Sequence, residues 1–109
     1  MKNVLFICGE NRRRSPTAEE IFANREDIEV LSAGLNQNSV LRVTPDLLEW
    51  ADIIFVMEKR HLSRLRTRFG QHLNNQSQIS LNIPDDYDYM NDKLVELLST
   101  RVSRHLKSF

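Results

Sequence analysis

The sequence predicts an α/β fold built on a parallel sheet with right-handed crossovers. Strand-like and helix-like stretches alternate four times along the 109 residues. Residues 3–8 and 52–57 are apolar on both faces, as strands buried inside a parallel sheet must be. Two helix starts, Ser15-Pro16 and Thr44-Pro45, follow strand or loop with an N-cap residue and then a proline.

Taken in order, residues 3–8 form the first strand and end at Cys8. A helix runs from Pro16 to about Asn24, with Ser15 as N-cap and Pro16 at its first position. Glu19 and Glu20 then fall where the helix dipole favours negative charge, and Ala18, Ile21, Phe22 and Arg25 line the side that lies on the sheet. Residues 28–33 alternate and read as a second strand, at an edge, stopped by Gly34. Residues 35–43 are polar, without a period, and read as loop. Thr44 caps a short helix carrying Leu47, Leu48 and Trp50, the last a core residue. The third strand spans 52–57. Residues 58–69 are helical, with Leu62, Leu65 and Phe69 inward and Gly70 closing the helix. An amide-rich loop leads to a fourth strand at 79–83, an acidic and aromatic loop at 84–89, and a last helix from about Asn91 to Leu106.

Bulk properties exclude several classes. The chain reads as one domain, 1–109, with one core. Fifteen basic and fifteen acidic residues cancel, so no global charge favours nucleic acid or a membrane surface. The first apolar run is too short for a secretory signal, and none approaches the roughly 20 residues of a membrane span. A single cysteine cannot form an internal disulfide, which fits a reducing, cytoplasmic setting.

Chemistry concentrates where the first strand ends. Cys8 is followed by five polar loop residues, then by Arg14, Ser15 and a helix N-terminus. Free N–H groups of such a turn converge on one point and make an anion site. A thiol among those donors favours the thiolate, which is the nucleophilic form. Arg14 can offer a phosphate two parallel hydrogen bonds. The plain alternative is an inert cysteine at a strand end beside a solvated arginine run. Ligands of open α/β sheets bind beyond the carboxyl ends of the strands. Cys8 lies at one such end and Asp85-Asp86 just past another, so the two belong on one rim.

Cys8, the five loop residues, Arg14 and Ser15 together resemble the phosphate-binding signature of the low-molecular-weight protein tyrosine phosphatases. The segment Arg14-Ser15-Pro16-Thr17-Ala18-Glu19 is similar to that family's helix start, and Ser32-Ala33-Gly34 to the end of its second strand. Ala51–Met57 is similar to its third strand and Ile83-Pro84-Asp85-Asp86-Tyr87 to its acid loop, so the resemblance spans nearly the whole chain. It implies a flavodoxin-like, four-stranded parallel sheet of order 2-1-3-4 with helices on both faces. It also implies a cysteinyl-phosphate intermediate, with no metal and no cofactor. Cys8 would be the nucleophile and Arg14 the clamp on the phosphoryl oxygens. Ser15 would donate to the thiolate and Asn11 would order the loop. Gly9, Glu10, Arg12 and Arg13 would complete the cradle, with Asp86 and Tyr87 at the substrate. The general acid is Asp85 or Asp86, with Asp85 preferred by position, because the family's aspartate is normally followed by proline. Glu10 stands where the family usually has glycine, either facing solvent or acting on the thiol. Arg13 replaces a second loop cysteine. Arsenate reductases of similar fold relay a disulfide through further cysteines, and this chain has one.

The expected activity is hydrolysis of phosphotyrosine or of another aryl or small phosphomonoester, on a phosphorylated protein or a small molecule. The alternative is a phosphate- or phosphoprotein-binding module with little turnover. Neither nucleic acid nor membrane is an expected partner, and a monomer is expected. Arg60, Arg64 and Arg68 recur every fourth residue and read as a solvated face, with a nucleic-acid face as the other reading. His61, His72 and His105 lack metal-ligand spacing. Tyr87 and Tyr89 either flank a substrate ring or pack their loop onto the domain.

Overall fold

The strand that ends at Cys8 has hydrogen-bonded neighbours on both sides. In the computed structural model, which describes residues 1–106, β1 (Lys2–Cys8) pairs with β2 (Ile28–Gly34) and with β3 (Ile53–Val56). β4 (Ser77–Ser80) adds to β3, all pairings are parallel, and the order is β2-β1-β3-β4. Architecture and order are those expected from the sequence, with β2 at an edge.

The pleat of β1 divides the core in two. Val4, Phe6 and Cys8 face one side with Ile53 and Phe55, under α1 (Arg14–Phe22) and α4 (Asp92–Leu106). Leu5 and Ile7 face the other with Ile54 and Val56, under α2 (Pro45–Trp50) and α3 (Lys59–Phe69). Alternate residues of one strand thus feed two cores, which is why β1 reads as a continuous apolar run. The ring of Phe6 stacks on Phe22 and Phe55 at 5.9 and 5.4 Å between centroids. Trp50, expected in the core, is half-buried against the α2/α3 side.

Thr44 caps α2 as read, accepting from the Leu47 N–H at 3.2 Å. Other boundaries move. Helix α1 begins at Arg14, before Pro16, and its N-cap is Arg13, not Ser15. The Ser15 hydroxyl is engaged by the cysteine and Asn11 instead of a helix N–H. No acidic residue falls in the first turn, so Glu19 and Glu20 are not dipole partners. Arg25 lies beyond the helix, paired with Asp27 at 2.6 Å. Gly70 stands at the C-cap of α3 as read, but with a right-handed φ of −52°, and it opens a 3₁₀ turn, Gly70–His72. β4 starts and ends earlier than the alternation at 79–83 suggested. Residues 81–83 still serve β3, because Leu81 and Ile83 donate to the carbonyls of Val56 and Met57 at 2.8 and 2.7 Å. Among the described residues, no helix is long and apolar enough to cross a membrane.

The loop at 35–43 is irregular but tied down. Gly34, which stands opposite Cys8 in the β1–β2 register, makes that possible. A Cβ at Gly34 would lie 2.2 Å from Ser39 Oγ and 2.9 Å from the Asn11 backbone nitrogen. Only glycine lets this loop and the loop after Cys8 close together.

Candidate active site

The loop between β1 and α1 is oriented from behind. The carbonyls of Cys8, Gly9 and Glu10 accept from the N–H groups of Leu35, Asn36 and Val40 at 3.0, 2.8 and 3.2 Å. In a trans peptide the following N–H points opposite to the carbonyl. The N–H groups of Gly9, Glu10 and Asn11 therefore point away from the 35–43 loop. Asn11 adopts a left-handed φ of 55°, which asparagine tolerates better than most residues. Its N–H meets Cys8 Sγ at 3.2 Å.

A directional hydrogen-bond chain runs to the same sulfur. Asn11 Nδ2 donates to both Ser15 Oγ and Ser32 Oγ, each at 2.9 Å. Ser32 Oγ in turn donates to the Glu19 carboxylate. Since Ser15 Oγ already accepts from Asn11, its one hydrogen is available for Cys8 Sγ, 2.9 Å away. Asn11, Ser15 and Ser32 are all buried. The sulfur thus faces two donors, the Asn11 N–H and the Ser15 hydroxyl.

Arg14, 2% exposed, crosses the rim. Its Nη1 donates to the Ile83 carbonyl at 2.7 Å and meets Glu58 Oε2 at 3.1 Å, and its Nε lies 3.7 Å from Asp85 Oδ1. One guanidinium thereby joins the loop after β1, the second residue past β3 and the acidic loop after β4. Glu58 also receives Arg60, at 2.8 Å from Nη2. Burial opposes the charge of Glu58, but hydrogen bonds from Arg60 and Arg14 outweigh it and hold the carboxyl below its ordinary range.

These groups surround a cavity of about 330 Å³ lined by Cys8, Gly9, Glu10 and Arg12 to Arg14 together with Asn36, Arg60, Arg64 and Asp85. Cys8, Arg14 and Asp85 are brought together as expected. Asn11 and Ser15 lie beneath the sulfur, outside the lining. Asp86 is exposed and outside the lining, and Tyr87 packs against the α1/α4 core, so neither reaches the cavity. Glu10 accepts from Asn38 Nδ2 at 2.9 Å and is held toward the 35–43 loop. The face of α3 is not merely solvated: Arg60 and Arg64 line the cavity, Arg64 Nη2 donates to Asn36 Oδ1 at 2.9 Å, and Arg68 binds the Leu35 carbonyl.

Sequence reasoning missed Glu58, Asn36, Arg60 and Arg64 as site residues. Glu58 follows the last residues of β3, so the rule that ligands bind past strand ends was a usable signal. Among the described residues, no group of three or more His, Cys, Asp or Glu side chains is placed to hold a metal ion.

His61 lies beneath this rim, fully buried. Its Nδ1 accepts from the Glu58 N–H at 3.1 Å, which puts the neutral ring's proton on Nε2. Burial, helped by Arg14 and Arg60, lowers its pKa from 6.5 to about 4. Between those values the unfolded chain binds a proton that the folded one does not. Stability should therefore fall as pH drops through this window, by at most roughly 3 kcal/mol. Urea midpoints between about pH 7 and pH 4 should fall less in His61→Asn, which keeps an acceptor near Nδ1 and does not titrate. An equal fall in both proteins would contradict this.

A scan against protein-family models finds no match, and neither does a search of curated proteins. Solved structures do match. SP-PTP, a low molecular weight protein tyrosine phosphatase from Streptococcus pyogenes, superposes with a TM-score of 0.80 over 100% of this chain and 93% of its own, at 18% identity. The fold is that of the low-molecular-weight protein tyrosine phosphatases. The tyrosine phosphatase Wzb from Escherichia coli K30, solved with phosphate, gives a TM-score of 0.79 at 19% identity, over 99% of this chain and 98% of that one. The YwlE arginine phosphatase from Geobacillus stearothermophilus gives 0.74 at 20% identity, over 99% and 94%. The likeness is one of fold, and it extends over nearly the whole length of each phosphatase-fold chain.

Proposed function

We propose that this protein is a metal-independent, cysteine-dependent phosphatase acting on phosphotyrosine or another aryl or small phosphomonoester. The reading rests above all on the sulfur of Cys8, which meets Ser15 Oγ and the Asn11 N–H at the floor of a cavity bordered by Arg14 and Asp85. Structural neighbours that are tyrosine and arginine phosphatases support the same class of reaction.

In the first step the Cys8 thiolate attacks phosphorus in line. The S–P bond forms as the ester P–O bond breaks, and Asp85 gives its proton to the leaving oxygen. In the second, the Asp85 carboxylate takes a proton from water. The resulting hydroxide attacks phosphorus, the S–P bond breaks, and inorganic phosphate leaves with the thiolate restored. The inward N–H groups of the loop and Arg14 carry the charge on the equatorial oxygens. Ser15 holds the thiolate when it departs. A free catalytic thiol fits a reducing, cytoplasmic compartment.

Purified protein should hydrolyse a generic aryl phosphate in the presence of a chelator. Inorganic phosphate should slow alkylation of Cys8 by iodoacetamide. Protection by phosphate without any turnover would replace this reading with a phosphate-binding module.

A further inference from the structure

The chain is neutral, with fifteen basic and fifteen acidic residues, but its cavity is not. Five arginines line it against two carboxylates, Glu10 and Asp85. Arg14 is committed to Glu58, Asp85 and the Ile83 carbonyl. Arg60 and Arg64, one turn apart on α3, stand on the same wall, and neither touches the sulfur's hydrogen-bond chain. Each is held in place: Arg60 by Glu58 and Arg64 by Asn36 Oδ1. Among the described residues, no aromatic side chain lines the cavity. Tyr87 packs against the α1/α4 core, and Tyr89 borders a different hollow with Arg12, Pro16 and Val40.

We infer that Arg60 and Arg64 form a second anion subsite, and that the preferred substrate is a phosphomonoester carrying another negative group beside the phosphate. The inference deepens the phosphatase reading and rests on it for its kinetic test. A wall with fixed guanidinium groups and no ring selects by charge, not by stacking. The same wall opposes phosphoarginine, whose leaving group departs as a guanidinium cation.

Two phosphotyrosine peptides decide it, one with Asp and Glu around the phosphotyrosine and one with Asn and Gln there. At low ionic strength the acidic peptide should have the higher kcat/KM, by about tenfold, as expected for a few partly exposed charge pairs. In Arg60→Gln/Arg64→Gln that ratio should fall toward unity, and in wild type it should shrink as salt is added. Because the ratio is taken within one protein, a general loss of activity does not imitate the result. A wild-type ratio near one both for these peptides and for the small-molecule pair below, or a ratio unchanged in the double variant, would overturn the subsite. The Kd ratio for the same peptides, measured on Cys8→Ser protein without and with the two arginine changes, reads the subsite without turnover. A Kd preference that vanishes with the arginines, in a protein that hydrolyses neither peptide, would keep the subsite and remove the phosphatase. A second pair, phenyl phosphate with and without a ring carboxylate, separates the sources of the anion. Preference confined to peptides identifies a protein substrate, preference confined to the small pair identifies a small molecule, and preference in neither refutes the inference.

Discussion

Cys8→Ser is expected to lower the rate of aryl phosphate hydrolysis by at least about 10⁴-fold, the scale seen when a covalent catalyst loses its nucleophile. The substitution changes one atom at the floor of the cavity. The Asn11 N–H and Ser15 Oγ would still converge there, at their present 3.2 and 2.9 Å from the sulfur position. Phosphate binding should therefore persist while turnover is lost, because a serine hydroxyl has no base beside it to take its proton. Steady-state rates on phenyl phosphate, together with phosphate affinity by calorimetry, check both halves. A variant that retains the wild-type rate would mean that the sulfur attacks nothing.

The Cys8–Arg14–Ser15 spacing was legible because it is local. Eight residues, Cys8 to Ser15, suffice to write a strand end, a turn and a helix start, and the turn chemistry needs no distant partner. The alternation of strands and helices gave a parallel sheet, but its order, 2-1-3-4, came from the resemblance to a known family. Ser15 shows where local reasoning stops. A serine before a proline is a good N-cap, but its hydroxyl is better used beside Asn11 and the cysteine, and the helix starts earlier without a side-chain cap. β4 was placed late because residues 81–83 alternate as a strand does, although the ladder proper is at Ser77–Ser80. Glu58, Asn36, Arg60 and Arg64 were hidden for a different reason. Asn36, Arg60 and Arg64 reach the cavity only when α3 and the aperiodic 35–43 loop are brought against β1, whereas Glu58 carried one signal, its place just past the end of β3. Tyr87 was the converse. Its acidic, aromatic loop suggested a substrate wall or packing onto the domain, and the half-buried ring packs against the core.

Asp85→Asn is expected to slow hydrolysis of phenyl phosphate by about 10²- to 10⁴-fold, the range for loss of a positioned acid. Asp86→Asn should stay near the wild-type rate. The two carboxylates are adjacent in sequence, and geometry separates them. Both are exposed, but Asp85 lines the cavity with Oδ1 3.7 Å from Arg14 Nε, whereas Asp86 is outside the lining. Removing Asp85 also releases one of the groups that face Arg14, so a rate loss alone does not identify its role. Leaving-group dependence does. An acid matters most when the departing oxygen is a poor leaving group. In a single turnover, Asp85→Asn should lose far less on an acidic nitrophenyl ester than on a phenyl or alkyl ester. Equal losses on all esters would make Asp85 a positioning residue for Arg14, and a loss that moved to Asp86→Asn would transfer the proton to its neighbour. The steeper dependence is expected at Asp85, because that carboxylate alone of the two shares the cavity with the sulfur.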